Sequence, residues 1–286
     1  MNGVFLINKE ENWTSFDICA KLRRVFATKK VGHSGTLDPF AEGLMLVCLG
    51  QATKVIPFLE NYDKEYEATL YLGKETDTLD KTGNVINEQD VLDYSIEEIN
   101  DVLKSFLGKI NQVPPMYSAL KKDGLPLYYL ARMGVEVERK SREVEIFSIE
   151  LISYQKPYLK FKVHVSKGTY IRSLGLDIAR KLNTVGHLVE LKRTKIGKFN
   201  LNQSKKVTEV TENDKISIVE LLSFMETITV DDKMERDIRN GVRLSLSAGK
   251  EVLLKNKDNI ALAIYYQKED GYYYTKRGLF DANNNI

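Results

Sequence analysis

The residues Gly32-His33-Ser34-Gly35-Thr36-Leu37-Asp38-Pro39, followed by Ala41, Glu42 and Gly43, form a glycine-bracketed loop that presents one carboxylate between apolar segments. Pro39 steers Asp38 away from the helical region, and Gly35 and Gly43 permit sharp turns on either side, so the loop holds its carboxylate up. An ionised carboxylate aimed in this way can act as a nucleophile or stabilise developing positive charge. Asp-Pro is also ordinary turn chemistry, and the loop alone fits both readings. Hydrolysis of a glycosidic bond by paired carboxylates would need a second acid at a defined distance, and near Asp38 the chain offers only Glu42.

Such a loop needs rigid neighbours. Residues 3–8 read as a strand, and Thr14 or Ser15 caps a helix that carries Phe16, Cys19, Leu22, Val25 and Phe26 on one side. The loop joins this helix to the apolar strand Leu44 to Leu49, a short helix near Ala52 to Leu59 follows, and Tyr66 opens a strand that alternates to Leu72. Ser95 to Glu98 is a capping box for a helix that stops at Gly108. After Pro114-Pro115 comes a long Tyr- and Lys-containing region, read as a mobile element, with a short helix through Leu127, Leu130 and Ala131. Strands are expected at 143–152 and 159–166. A helix led by Thr169 or Ser173 then carries Leu174, Leu176, Ile178, Ala179 and Leu182. Strands alternating with helices, some joined too tightly for helical crossovers, predict an α+β fold around a central mixed, largely antiparallel sheet flanked by helices. Short strand-like runs from 231 onward predict a small β-rich module. Residues 1–230, with an inserted region at about 109–142, would then form one domain and 231–286 a second.

Composition narrows the function. The 286 residues are 43% hydrophobic and 29% charged, no apolar run approaches the roughly 20 residues needed to cross a bilayer, and the N-terminus reads as a strand and not a signal peptide, so the cytoplasm is expected. Two cysteines, Cys19 and Cys48, exclude a disulfide framework and a multi-cysteine zinc site. Three scattered histidines make no convincing metal cluster, and neither the Walker pattern nor Gly-x-Gly-x-x-Gly occurs, so no metal or cofactor is expected. The net charge of +2 hides a segregation: residues 156–200 hold eleven Lys and Arg against two acids, whereas acids dominate 60–101. One face that follows phosphates and another that stays in water would account for it, as would solvated lysines.

The loop, continuing through Leu44-Met45-Leu46-Val47-Cys48-Leu49-Gly50 to Gln51-Ala52-Thr53-Lys54, closely resembles the catalytic motif of the TruB family of tRNA pseudouridine synthases. Three further blocks fit in the same order: Lys64-Glu65-Tyr66, Ser166-Lys167-Gly168-Thr169-Tyr170-Ile171-Arg172-Ser173-Leu174, and Gly186-His187-Leu188 followed by Leu191-Lys192-Arg193-Thr194. The resemblance covers roughly residues 1–200, and the tail weakly resembles the family's RNA-binding PUA-type domain. It implies the pseudouridine synthase fold and a monomer acting on the T arm of tRNA, where it isomerises the T-loop uridine at position 55 without a cofactor or protein partner. It also implies site residues. Asp38 is the nucleophile, Arg172 its bidentate partner, able to hold its pKa below the usual range, and Tyr170 assists proton removal from C5. Tyr66 stacks on the flipped base, His33 sits near the space the base vacates, Asp80 organises the cleft, Leu191 is an apolar wall, and Arg193 is a support or a phosphate contact. Lys121, Lys122, Arg132, Arg139, Lys140 and Arg142 are expected backbone contacts.

Two alternatives remain at this point. A guide-RNA-dependent synthase shares the Gly-His-Ser-Gly-Thr-Leu-Asp-Pro stretch, although the acidic insertion near 74–108 and the Gly-x-x-His-Leu segment look more like the stand-alone branch. A non-catalytic RNA-binding or tRNA-folding protein would need none of the chemistry.

Overall fold

Gly3–Lys9 (β1) and Glu42–Leu49 (β3) are almost wholly buried, as strands covered on both faces must be, and they pair antiparallel along their length. The computed structural model describes residues 1–280, so the end of the expected C-terminal module, 281–286, lies outside the described residues. Between the two strands Thr14 caps Ser15–Val25 (α1): its hydroxyl accepts from the Asp17 N–H, and the Asp17 carboxylate accepts from the Thr14 N–H. The buried residues of α1 are Ser15, Ile18, Cys19 and Leu22, while Phe16 is 66% exposed beneath the Arg23 guanidinium and Val25 also faces solvent. The helix is thus rotated from the expected stripe, because Ile18 and Leu22, one turn apart, take the sheet-facing positions. Phe26, just past its end, stacks on Phe5.

A strand absent from the sequence reading, Val31–His33 (β2), pairs with β3 so that His33 lies opposite Val47. Lys64–Leu72 (β4) alternates, with Tyr66, Ala68, Leu70 and Leu72 in the main core and Glu65 and Glu67 on the other face. The helix capped by Ser95, Ile96–Lys104 (α2), ends before Gly108. That glycine, at φ +86°, instead opens the strand Gly108–Gln112 (β5). Arg142–Gln155 (β6) and Tyr158–Val165 (β7) form a long hairpin. Ile171–Lys181 (α3) then leads to Gly186–Ile196 (β8).

The main sheet runs β1-β3-β8-β4-β7-β6-β5. Among the described residues its pairings are antiparallel except for β3 with β8 and the short Lys205–Lys206 strand against β1. This is the mixed, largely antiparallel α+β fold the sequence predicts. Ile18, Leu22, Ile99, Leu103, Leu174 and Ile178 of the three helices pack with Phe5, Ile7, Leu70 and Phe161 of the sheet. The other side of β1 and β3, through Val4, Leu6, Leu44 and Leu46, packs against Ile218, Leu221, Leu253 and Ile264. The last two belong to a second sheet of Glu226–Thr229 (β9), Glu251–Lys255 (β10), Ala261–Gln267 (β11) and Tyr273–Gly278 (β12), a C-terminal β module whose first strand precedes residue 231. Among the described residues no helix is long and apolar enough to cross a membrane.

Candidate active site

Because β2 and β3 pair on either side of it, the Asp38 loop is clamped at both ends. Gly43 closes it at φ +109°, where a Cβ would stand 2.4 Å from the Arg193 carbonyl oxygen of β8, so only glycine lets the parallel strand pass. Arg193, 1% exposed, supports the loop from beneath: Nε donates to Leu44 O at 2.7 Å and Nη2 to Gly35 O at 3.2 Å. Of the two roles implied for Arg193, this geometry is that of a support. Lys9, at the buried end of β1, donates from Nζ to Trp13 O at 2.7 Å and to Pro39 O at 3.2 Å, pinning the residue after Asp38. Burial lowers the Lys9 amine to about 8, with Asp38 pulling the other way.

Arg172 reaches the loop from the first turn of α3. Its Nε donates to Asp38 Oδ2 at 2.8 Å and Nη2 to Asp38 Oδ1 at 3.0 Å, a bidentate fork. The remaining donors go to Thr78 O and Tyr117 O, each at 2.7 Å, and Nη1 lies 3.5 Å from Asp80 Oδ2. Asp80 is 4% exposed, and Thr78 Oγ1 and the Thr82 N–H and hydroxyl donate to its Oδ1. It therefore stands behind the guanidinium and not in the cleft. One cation thus serves two carboxylates. Burial raises the Asp38 carboxyl above its ordinary value, Arg172 opposes this and Asp80 adds to it. Arg172 lowers the Asp38 carboxyl as expected, but burial, with Asp80 adding to it, raises it more.

Asp38 opens onto a cleft of about 780 Å³ whose lining includes His33, Tyr66, Ser118, Tyr170, Leu191 and Arg193. Tyr66 sits on β4 directly opposite Val163 on one side and Arg193 on the other. Burial raises the Tyr170 phenol, and burial together with the Arg193 charge lowers His33, which keeps its ring neutral near pH 7. Asp38, Tyr170, Arg172, Tyr66, His33 and Leu191 therefore meet in one place, from four separate stretches of chain.

Residues 23–171 match the family model for TruB family pseudouridylate synthase (N terminal domain). The chain is 43% identical over 271 residues to tRNA pseudouridine synthase B of Clostridium tetani, covering 93% of each protein. The chain belongs to the TruB family. It is also 46% identical over 249 residues to tRNA pseudouridine synthase B of Clostridium perfringens, covering 85% of each. Its fold is similar to that of a chain in the crystal structure of a Cbf5-Nop10-Gar1 complex, with a TM-score of 0.75 at 22% identity over 98% of this chain and 86% of that one.

In this TruB-family site some functional geometry carries no signal in the sequence. Lys9, the last residue of β1, is fully buried. Gln112, 2% exposed, bonds the backbone of Tyr170 in both directions, where Thr169 or Ser173 was expected to cap the helix. Not all of the basic 156–200 segment is free to meet phosphates. Arg172 and Arg193 are buried, and Lys156, Lys162 and Arg180 pair with Asp93, Glu65 and Glu75 of the acidic segment. Charges segregated along the chain are thus partly matched in space.

Proposed function

We propose that this TruB-family enzyme, a tRNA pseudouridine synthase, acts on the T-loop uridine at position 55, with Asp38 as the nucleophile. The observation that carries the reading is the bidentate Arg172–Asp38 pair opening onto a cleft walled by Tyr66 and Tyr170. The reaction breaks the bond from ribose C1′ to N1, turns the base and rejoins C1′ to C5, after which C5 loses its proton and N1 takes one up. The uridine must first leave its stack, which costs a few kcal/mol, and the Tyr66 ring offsets about 1–3 kcal/mol of that by stacking. Asp38 attacks the flipped nucleoside and its bond to it breaks again before the product leaves, while Arg172 fixes its direction and Asp80 fixes Arg172. Tyr170 stays a neutral phenol at neutral pH and assists removal of the C5 proton by hydrogen bonding, neutral His33 fills the vacated space, and Leu191 walls the pocket.

Residues 1–230 would carry the reaction and 109–142 would contact the RNA, with 231–286 an accessory RNA-binding module; the enzyme would act as a cytoplasmic monomer. Incubating the purified chain alone with an unmodified tRNA transcript and mapping pseudouridine chemically tests this. Conversion confined to the T-loop uridine is expected. A requirement for added guide RNA would transfer the reading to the guided branch, and release of free uracil would mean hydrolysis.

Three further outcomes are expected of the site. The rate at saturating tRNA should fall on acidification at a pH above the ordinary carboxylate range, because Asp38 must be ionised and its pKa is raised. Asp80→Asn, by removing the repulsion, should move that limb to lower pH; an unmoved limb in the variant's pH–rate profile would remove Asp80 from the electrostatics of Asp38. Tyr66→Leu, which keeps apolar volume but removes the ring, should lower kcat/KM about 10- to 100-fold. Wild-type turnover of that variant on the same transcript would end the stacking role.

A further inference from the structure

Gln112 is the last residue of β5, and its side chain is turned onto the peptide of Tyr170. Nε2 donates to Tyr170 O at 3.0 Å, and Oε1 accepts from the Tyr170 N–H at 2.8 Å. Tyr170 is the residue before α3, and its own side chain supplies no cap. Its carbonyl oxygen also accepts from Leu174 N–H, so the group that depends on Gln112 alone is the Tyr170 N–H. Two further bonds join the same turn to the same stretch of chain: Ser173 Oγ donates to Val113 O at 3.0 Å and Arg172 Nη2 to Tyr117 O at 2.7 Å.

We infer that Gln112 is a positioning residue for the isomerisation, fixing the backbone from which the Tyr170 phenol and the Arg172 guanidinium are aimed. This rests on the roles proposed above for those two side chains. The chemistry is specific to a carboxamide of this length. Glutamate would keep the acceptor but set a negative charge against the Tyr170 carbonyl, methionine would provide neither donor nor acceptor, and asparagine is one methylene short. β5 also runs directly into the segment 113–142, so that segment and the turn bearing the two reactive side chains share one joint.

The experiment compares wild type, Gln112→Met, Tyr170→Phe and the double variant for single-turnover conversion of a tRNA transcript by saturating enzyme, with tRNA affinity measured alongside. Gln112→Met should slow the saturating rate about 10- to 100-fold, the cost of a small misplacement at a reacting centre. Its tRNA affinity should stay near wild type. The double variant should be slower than Tyr170→Phe by less than that factor, because the share of the loss that runs through the phenol is already gone and only the share through Arg172 remains. An unchanged saturating rate, a defect confined to tRNA affinity, or fully multiplicative losses would each overturn the inference. Wild-type conversion by Tyr170→Phe would instead sink the role proposed for Tyr170. If Gln112→Met does not fold, Gln112→Asn, which keeps the carboxamide but stops one methylene short of the Tyr170 peptide, gives the same comparison.

Discussion

Asp38→Asn is expected to lower pseudouridine formation on the order of 10⁴-fold or more while leaving tRNA binding near wild type. The substitution is almost isosteric: the new side-chain oxygen still accepts one Arg172 N–H, the amide nitrogen loses the other bond, and the loop stays held by the β2–β3 pairing and by Arg193. What disappears is the negative charge and with it the nucleophile. Phosphate contacts elsewhere are untouched, and removing an anion from an RNA-binding cleft does not weaken them. Chemical mapping of the T-loop uridine after incubation with excess enzyme, beside a filter-binding titration, reads both quantities. Conversion by the variant at even a few per cent of the wild-type rate would end the nucleophile assignment. In cells the same substitution separates catalysis from any RNA-folding role, since a non-catalytic protein would keep all its functions.

The site was legible where its chemistry lies in contiguous stretches. The Asp38 loop, the Tyr170-Ile171-Arg172 turn and the strand opened by Tyr66 each carry their identity locally, and the apolar patterns of β1, β3 and β4 fix which sheet must position them. What could not be read depends on convergence. Lys9 is held by carbonyls of Trp13 and Pro39 that meet only after the loop has folded over β1. Gln112 caps a helix that begins far along the chain. The direction of the Asp38 shift also escaped, since burial and the second carboxylate behind Arg172 are properties of the packed site. Helix α1 was rotated in the reading because Phe16 counts as apolar in a pattern yet lies outside the core. Gly108 reads as a helix stop because a glycine at positive φ suits the end of a helix and the start of a strand equally well.

Arg172→Lys keeps the positive charge and should still slow isomerisation about 10²- to 10³-fold. The guanidinium engages Asp38 through two nitrogens, Thr78 O and Tyr117 O through others, and approaches Asp80 on its far side. A lysine ammonium is a compact charge without a planar fork, so it cannot satisfy the carboxylate and both carbonyls together. The carbonyls left without a charged donor and the second carboxylate left partly unpaired should cost about 2–5 kcal/mol of stability. A purely structural ion pair would show that loss alone, with each folded molecule turning over as wild type does. Loss of direction at Asp38 predicts more: at a temperature where both proteins are fully folded, the single-turnover rate falls while tRNA affinity holds. Thermal unfolding and saturating single-turnover conversion on the same preparations separate the two. A lowered Tm with an unchanged rate would make Arg172 a structural residue and leave Asp38 without the partner that aims it.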